Sequence, residues 1–167
     1  MASFSFDGLK LTGEGRKYVA EMDKLLSKEI HVGFQAGRNA YEDGTDIVDV
    51  AAFNELGTSN IPARPFMKQS WENNEGKLKA ACQRANKMIS QGETAGEACK
   101  MLGVYGVGLI QREIRDGNFV PNAPSTIRRK GSSKPLIDTG RMRQSVHYVV
   151  KDVRRSPFRA LIERFAR

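Results

Sequence analysis

The sequence predicts an α+β fold: a small, mostly antiparallel sheet packed against two long helices, with long polar loops. Three observations carry this. Two long stretches, 65–91 and 94–115, repeat apolar residues at helical spacing. Short runs at 30–34 and 145–150 alternate with period two, the signature of half-buried strands. Between them lie two segments, 37–46 and 117–136, rich in Gly, Pro, Asn, Ser and charge, which read as loops.

In chain order, Phe4 and Phe6 alternate with small polar residues and predict a short strand over 2–6. Thr12 or Gly13 then opens a helix to about Ser27, with Tyr18, Val19, Met22, Leu25 and Leu26 on one stripe. Ile30, Val32 and Phe34 alternate with Glu29, His31, Gly33 and Gln35, which predicts a strand with His31 facing solvent. Asp46 or Asp49 can cap a helix over 47–56, and Gly57 suits the position just past its end. Pro65 fits a first helical turn, and the spacing predicts one helix from there to about Gln91. Phe66 is expected in its core-facing stripe.

A further helix is expected from Thr94 to Arg115. Gly103, Gly106 and Gly108 within it each cost up to ~1 kcal/mol relative to Ala, which predicts another backbone packed close by. The segment 117–136 is expected as one exposed loop. Asp138 is expected to cap the helical turn DTGRMRQS, followed by a strand over 145–150 and, after Pro157, a weak amphipathic helix. The organisation expected is one domain over 1–152 and a basic tail over 153–167.

Composition excludes several classes. Hydrophobic residues make up 40% and charged residues 28%, values of a folded globular chain and not of a disordered one. No apolar run approaches the ~20 residues that span a bilayer, so no membrane partner is expected. The first residues lack a basic-then-apolar leader pattern, and the expected compartment is a cytoplasm. Cys82 and Cys99 fall in helical patterns and are expected as buried free thiols; with two distant histidines they form no metal-ligand spacing. The net charge of +8 is uneven. Residues 1–115 hold 15 basic and 15 acidic side chains, so the whole excess lies in 116–167. A segment of that kind suits contact with nucleic acid or an acidic protein surface.

The one hydrolytic constellation worth weighing is Asp138, Ser145 and His147. On a strand, Ser145 and His147 would stand some ~6–7 Å apart by strand rise, too far for a nucleophile and its base. No nucleophile elbow and no nucleotide fingerprint is present, because Gly13–Gly15 lacks a preceding strand and Gly103–Gly108 lies inside an apolar helix. The carboxylates Glu42, Asp43, Asp46, Asp49, Glu72 and Glu75 flank loops and helix starts, where acids suit the helix dipole. No enzyme activity, metal or cofactor is expected. The strongest electrostatic feature is Arg128-Arg129-Lys130 with Lys134, Arg141 and Arg143, which can neutralise phosphates without reading bases.

Two stretches carry a resemblance. FNELGTSNIPARPFM (53–67) and PNAPSTIRRKGSSKPLIDTGRMRQSVHYVV (121–150), with IRDGNFVPNAPST between them and the strand IHVGF before, resemble the tail-completion, or tail-to-head joining, proteins of tailed bacteriophages and prophages, also described as neck or minor tail proteins. The likeness covers roughly 28–152. It implies a non-enzymatic virion component with an α+β fold, forming a ring, often a hexamer, at the head-proximal end of the tail. Its implied partners are further copies of itself, the head connector and the tail tube or terminator. Assembly would take place in the host cytoplasm. A tail-terminator role is the alternative beside tail completion.

A basic protein binding nucleic acid non-specifically is the reading from another class. On these expectations Arg64, Arg128, Arg129, Lys130, Lys134, Arg141 and Arg143 are candidate interface residues, and Arg128, Arg129 and Lys130 the candidates to face DNA. Arg64, set between Pro62 and Pro65, is expected in an intersubunit or structural ion pair.

Overall fold

The structure, a computed structural model, describes residues 12–153; the strand expected over 2–6 and the helix expected after Pro157 lie outside them. Its centre is the helix α5 (Ala95–Asp116), against which most of the other elements pack. Thr94 and Glu97 close a reciprocal capping box at its start. Glu21 of α1 (Gly13–Leu26) adds a second cap by accepting from the Ala95 N–H at 2.8 Å. That bond ties α1 to the start of α5, while Met22 and Leu25 pack against Ala85 and Ile89 of α4 (Glu75–Ser90) and Ala98 of α5.

Among the described residues the sheet has two strands, β1 (Lys28–Gly33) and β2 (His147–Asp152), antiparallel with Val32 opposite Tyr148. They pack across α5, closely enough that two of its glycines leave little or no room for a side chain. A Cβ on Gly103 would overlap the Tyr148 ring, and one on Gly106 would sit 3.0 Å from Val32 Cγ2. The close neighbours are thus strand side chains and not a backbone as the sequence suggested. Gly108 faces open space, and packing does not explain it.

The main core lies at the other end of α5. Phe66, Ile110 and Ile114 are almost fully enclosed, joined by Ile47, Ala51, Met142 and Val146. The Phe34 and Phe66 rings meet edge to face at 6.1 Å. Ile47 and Ala51 come from α2 (Ile47–Leu56), whose start is capped by the Asp46 carboxylate accepting from Val48 N–H. Gly57 ends that helix at φ +77°, and a Cβ there would meet the Ala63 backbone at 2.9 Å, so glycine is required on both counts.

Five further expectations are corrected. The helix expected over 65–91 is two, α3 (Phe66–Glu72) and α4, broken at Asn73 and Asn74. The buried Asn74 side chain donates to the Ser70 carbonyl, a local bond that competes with helix continuation. The segment 117–136 is not one loop, because α6 (Pro124–Lys130) forms inside it, with Pro124 in its first turn and Gly131 in the left-handed conformation at its end. The turn α7 (Arg141–Gln144) begins after Gly140 and receives no cap from Asp138, which lies too far upstream. Ser145 still belongs to that turn through its N–H bond to Arg141 O, so β2 starts at His147. Of the two thiols, Cys99 is buried and Cys82 exposed.

Gly103→Ala is expected to destabilise by about 1–3 kcal/mol in urea unfolding, because Tyr148 must move. Gly108→Ala should instead stabilise by up to ~1 kcal/mol. Acid sensitivity is expected as well. The Glu21 and Asp46 carboxyls are held below their ordinary range by backbone N–H donors, Ala95 for the first, Gly37 and Val48 for the second. The unfolded chain therefore takes up these protons at higher pH than the fold does. Their stabilisation is present above the ordinary carboxylate range and is lost as pH falls through the lowered values. Melting temperature followed from about pH 6 to 3 should fall less steeply in Glu21→Gln than in the parent.

Candidate functional site: the recess around Arg64

Arg64 is 6% exposed. Its backbone N–H donates to Asn54 O at 2.6 Å, which fastens the Pro-rich segment onto the end of α2. Its guanidinium donates from Nε to Val120 O (2.8 Å), from Nη1 to Asn54 Oδ1 (3.3 Å), and from Nη2 to Pro121 O (3.2 Å) and Asn122 Oδ1 (3.3 Å). All four acceptors are neutral. Among the described residues no carboxylate pairs with it, and within the chain a set of carbonyl and amide contacts stands where a structural ion pair was one of the two expectations. The side chain is turned inward, with 6% of its surface exposed.

The acceptors are themselves held. Asn54 Nδ2 donates to Val50 O, and Asn122 Nδ2 donates to Ser133 O and Lys134 O. Through Asn122 the Arg64 network reaches the far end of the α6 loop. Glu55 completes the corner: its carboxylate accepts from Met67 and Lys68 N–H and caps α3 from α2. The sequence marked Pro65 as the start of a helix but carried no sign of this cap, which forms only when α2 lies beside α3.

Beside Arg64 opens a recess of about 360 Å³, bounded by α2, the segment 60–64, α6 and the segment 136–142. Its charged lining is Arg64, Arg129, Lys130, Asp43 and Asp138. Val50, Ile61, Leu136 and Met142 supply apolar wall. Leu136 holds φ +59°, a left-handed backbone unusual for a branched residue. Burial pushes the Arg64 and Lys130 pKa values down; at Lys130 the Arg64 and Arg129 charges add to this and Asp138 opposes it. Burial, then the nearby Asp138 charge, pushes the Tyr41 phenol up. Asp43 is committed to Thr45 N–H, which holds its carboxyl low.

The basic candidates separate. Arg128 and Arg129 are exposed on the last turn of α6, whereas Lys130 folds back, its Nζ donating to Lys134 O at 3.1 Å. Lys134 is exposed and contributes that carbonyl. Arg141 pairs with Glu42 at 3.0 Å across to the loop 37–46, an exposed bridge of small energetic weight. Arg143 is half-buried, and its carbonyl accepts from Gln111.

Asp138, Ser145 and His147 are not assembled. Ser145 Oγ donates to Arg141 O, and His147 Nδ1 lies 3.1 Å from Ser145 O while Nε2 faces Gln35. Asp138 lines the Arg64 recess, whereas His147 lines a separate groove of about 630 Å³ between the outer sheet face and α2. Among the described residues, no three His, Cys, Asp or Glu side chains are grouped to hold a metal, and no helix is long and apolar enough to cross a membrane.

No known protein family, curated protein or solved structure matches the chain.

Arg64→Met is expected to lower unfolding free energy by about 3 kcal/mol or more, because Asn54, Asn122 and two carbonyls lose a charged donor at once. Arg64→Lys should not restore it, since one ammonium cannot reach acceptors spread around a planar fork. Urea denaturation of both variants checks this, and full recovery by Lys would refute it.

Proposed function

We propose that the chain is a structural component of a tailed-phage virion, forming a hexameric ring at the head-proximal end of the tail and joining it to the head connector. The observation that carries this reading is the Arg64 network. The two stretches that resemble tail-completion proteins, 53–67 and 121–150, lie more than fifty residues apart, yet Arg64 bonds one directly to the other through Pro121 and Asn122. Their joint occurrence thus has a structural basis: they are two halves of one corner.

Surfaces suited to assembly support it. Among the described residues β1 and β2 pair only with each other, so each keeps an outer edge on which another strand can add. Phe53 (48% exposed), Leu56 (78%) and Val104 (57%) leave apolar side chains in water, as subunits of larger assemblies do.

The exposed Arg128 and Arg129 favour a second, compatible feature: non-specific contact with DNA passing the joint. Deleting the gene from the phage or prophage that encodes this chain tests the main reading. The expected result is full heads beside unattached tails of normal length. Overlong tails would make the protein a tail terminator, and normal infectious particles would end the virion reading.

A further inference from the structure

We propose that the recess beside Arg64 is a receptor for a single carboxylate, presented by an acidic side chain of a partner polypeptide in the assembly. Three features point there. Arg64 brings a nearly buried positive charge to the recess and meets only neutral acceptors, so its charge is solvated by dipoles and not cancelled. Its guanidinium has five N–H groups, of which four are used, leaving one on Nη1 without an acceptor among the described residues. Arg129 and Lys130 add two further cations to the lining, and Lys130 spends one of its three N–H groups on Lys134 O.

The acids nearby do not answer this charge. Asp43 is turned to Thr45 N–H. Asp138 lines the same recess, but among the described residues it makes no ion pair with Lys130 or Arg64 within 4.0 Å. It acts as a partial counter-charge that an incoming carboxylate must compete with.

Shape decides the class of ligand. The positive charge lines a concavity whose apolar wall is Val50, Ile61, Leu136 and Met142. A slender aliphatic stem ending in a carboxylate can enter and place its methylenes on that wall. The ribose-phosphate backbone of duplex DNA presents its charge on a broad convex ridge and meets the exposed Arg128 and Arg129 first. The site rests on the assembly reading only for the nature of its partner; the binding chemistry belongs to the single chain.

The test is an NMR titration of the ¹⁵N-labelled full chain with N-acetyl-glutamate α-amide, at constant ionic strength against NaCl. The buried Arg64 Nε–H, held by Val120 O, is the reporter. A saturable shift of this resonance is expected, with half-saturation in the millimolar range, on the order of a single anchored carboxylate. Arg129→Gln/Lys130→Gln should weaken it about fivefold, and Asp138→Asn should tighten it about twofold by removing the competing charge. A purely structural role for these residues would move neither value. Amide spectra of the variants report folding separately, and Asp138→Asn leaves every basic residue in place.

A shift that grows linearly and equals that of NaCl would overturn the proposal, as would unchanged affinity in both variants. Stronger displacement by inorganic phosphate, or by a twelve-base-pair duplex, would overturn the carboxylate assignment. If the titration saturates but the gene deletion leaves particles normal, the site stands and the virion role falls. The reverse pair of results removes the site alone.

Discussion

The corner of this molecule depends on one buried guanidinium. Arg64 joins the end of α2, the 119–122 segment and, through Asn122, the return of the α6 loop. A carboxylate partner would have cancelled its charge with one contact. Neutral acceptors instead require that several chain segments all be in place before the charge is adequately solvated, which makes the tie cooperative. The two prolines flanking the segment limit its backbone, and Gly57 admits the close return of Ala63. Rigidity here is thus built from three local causes acting on one residue.

A second constraint is the contact between α5 and the sheet. Two strands are few for independent stability, and this pair gains its support by laying Val32 and Tyr148 into gaps left by Gly106 and Gly103. The helix gives up intrinsic propensity at those positions in exchange for close approach. Joined to α1 by the Glu21 cap and to α4 by the Ala85–Ile89–Ala98 contacts, α5 couples the helical half of the domain to the main core through Ile110 and Ile114.

Much of the architecture was legible from local pattern. The period-two run around Val32, the capping signal at Asp46, and Gly57 after α2 each act within a few residues, so their effects can be read in one dimension. The misses share a cause as well. The Asn73-Asn74 break was hidden because an apolar stripe continues through it, and only the Asn74–Ser70 bond distinguishes two helices from one. The α6 helix was masked by Gly, Ser and Pro on both sides. Among candidate site residues, Arg64 was singled out for its place between prolines, but its neutral acceptors within the chain, drawn from residues 54 and 120–122, left no local signal. Arg128 and Arg129 lie where a basic loop was expected, while Lys130 turned back, a choice made by the Lys134 carbonyl.

By itself the sequence determined the α+β class, the bounds of α1, α2 and α5 to within a residue or two, the clustering of positive charge after residue 116, and the two stretches whose resemblance motivates the functional proposal. These follow from spacing and composition, which are properties of neighbours along the chain. The tertiary structure alone decided that the two stretches form a single corner, that Arg64 is buried among neutral acceptors, and that Arg129, Lys130 and Asp138 share its recess. The physical reason is that each of these depends on groups tens of residues apart meeting at hydrogen-bond range or across one cavity. No local preference encodes such a meeting; packing around α5 brings it about.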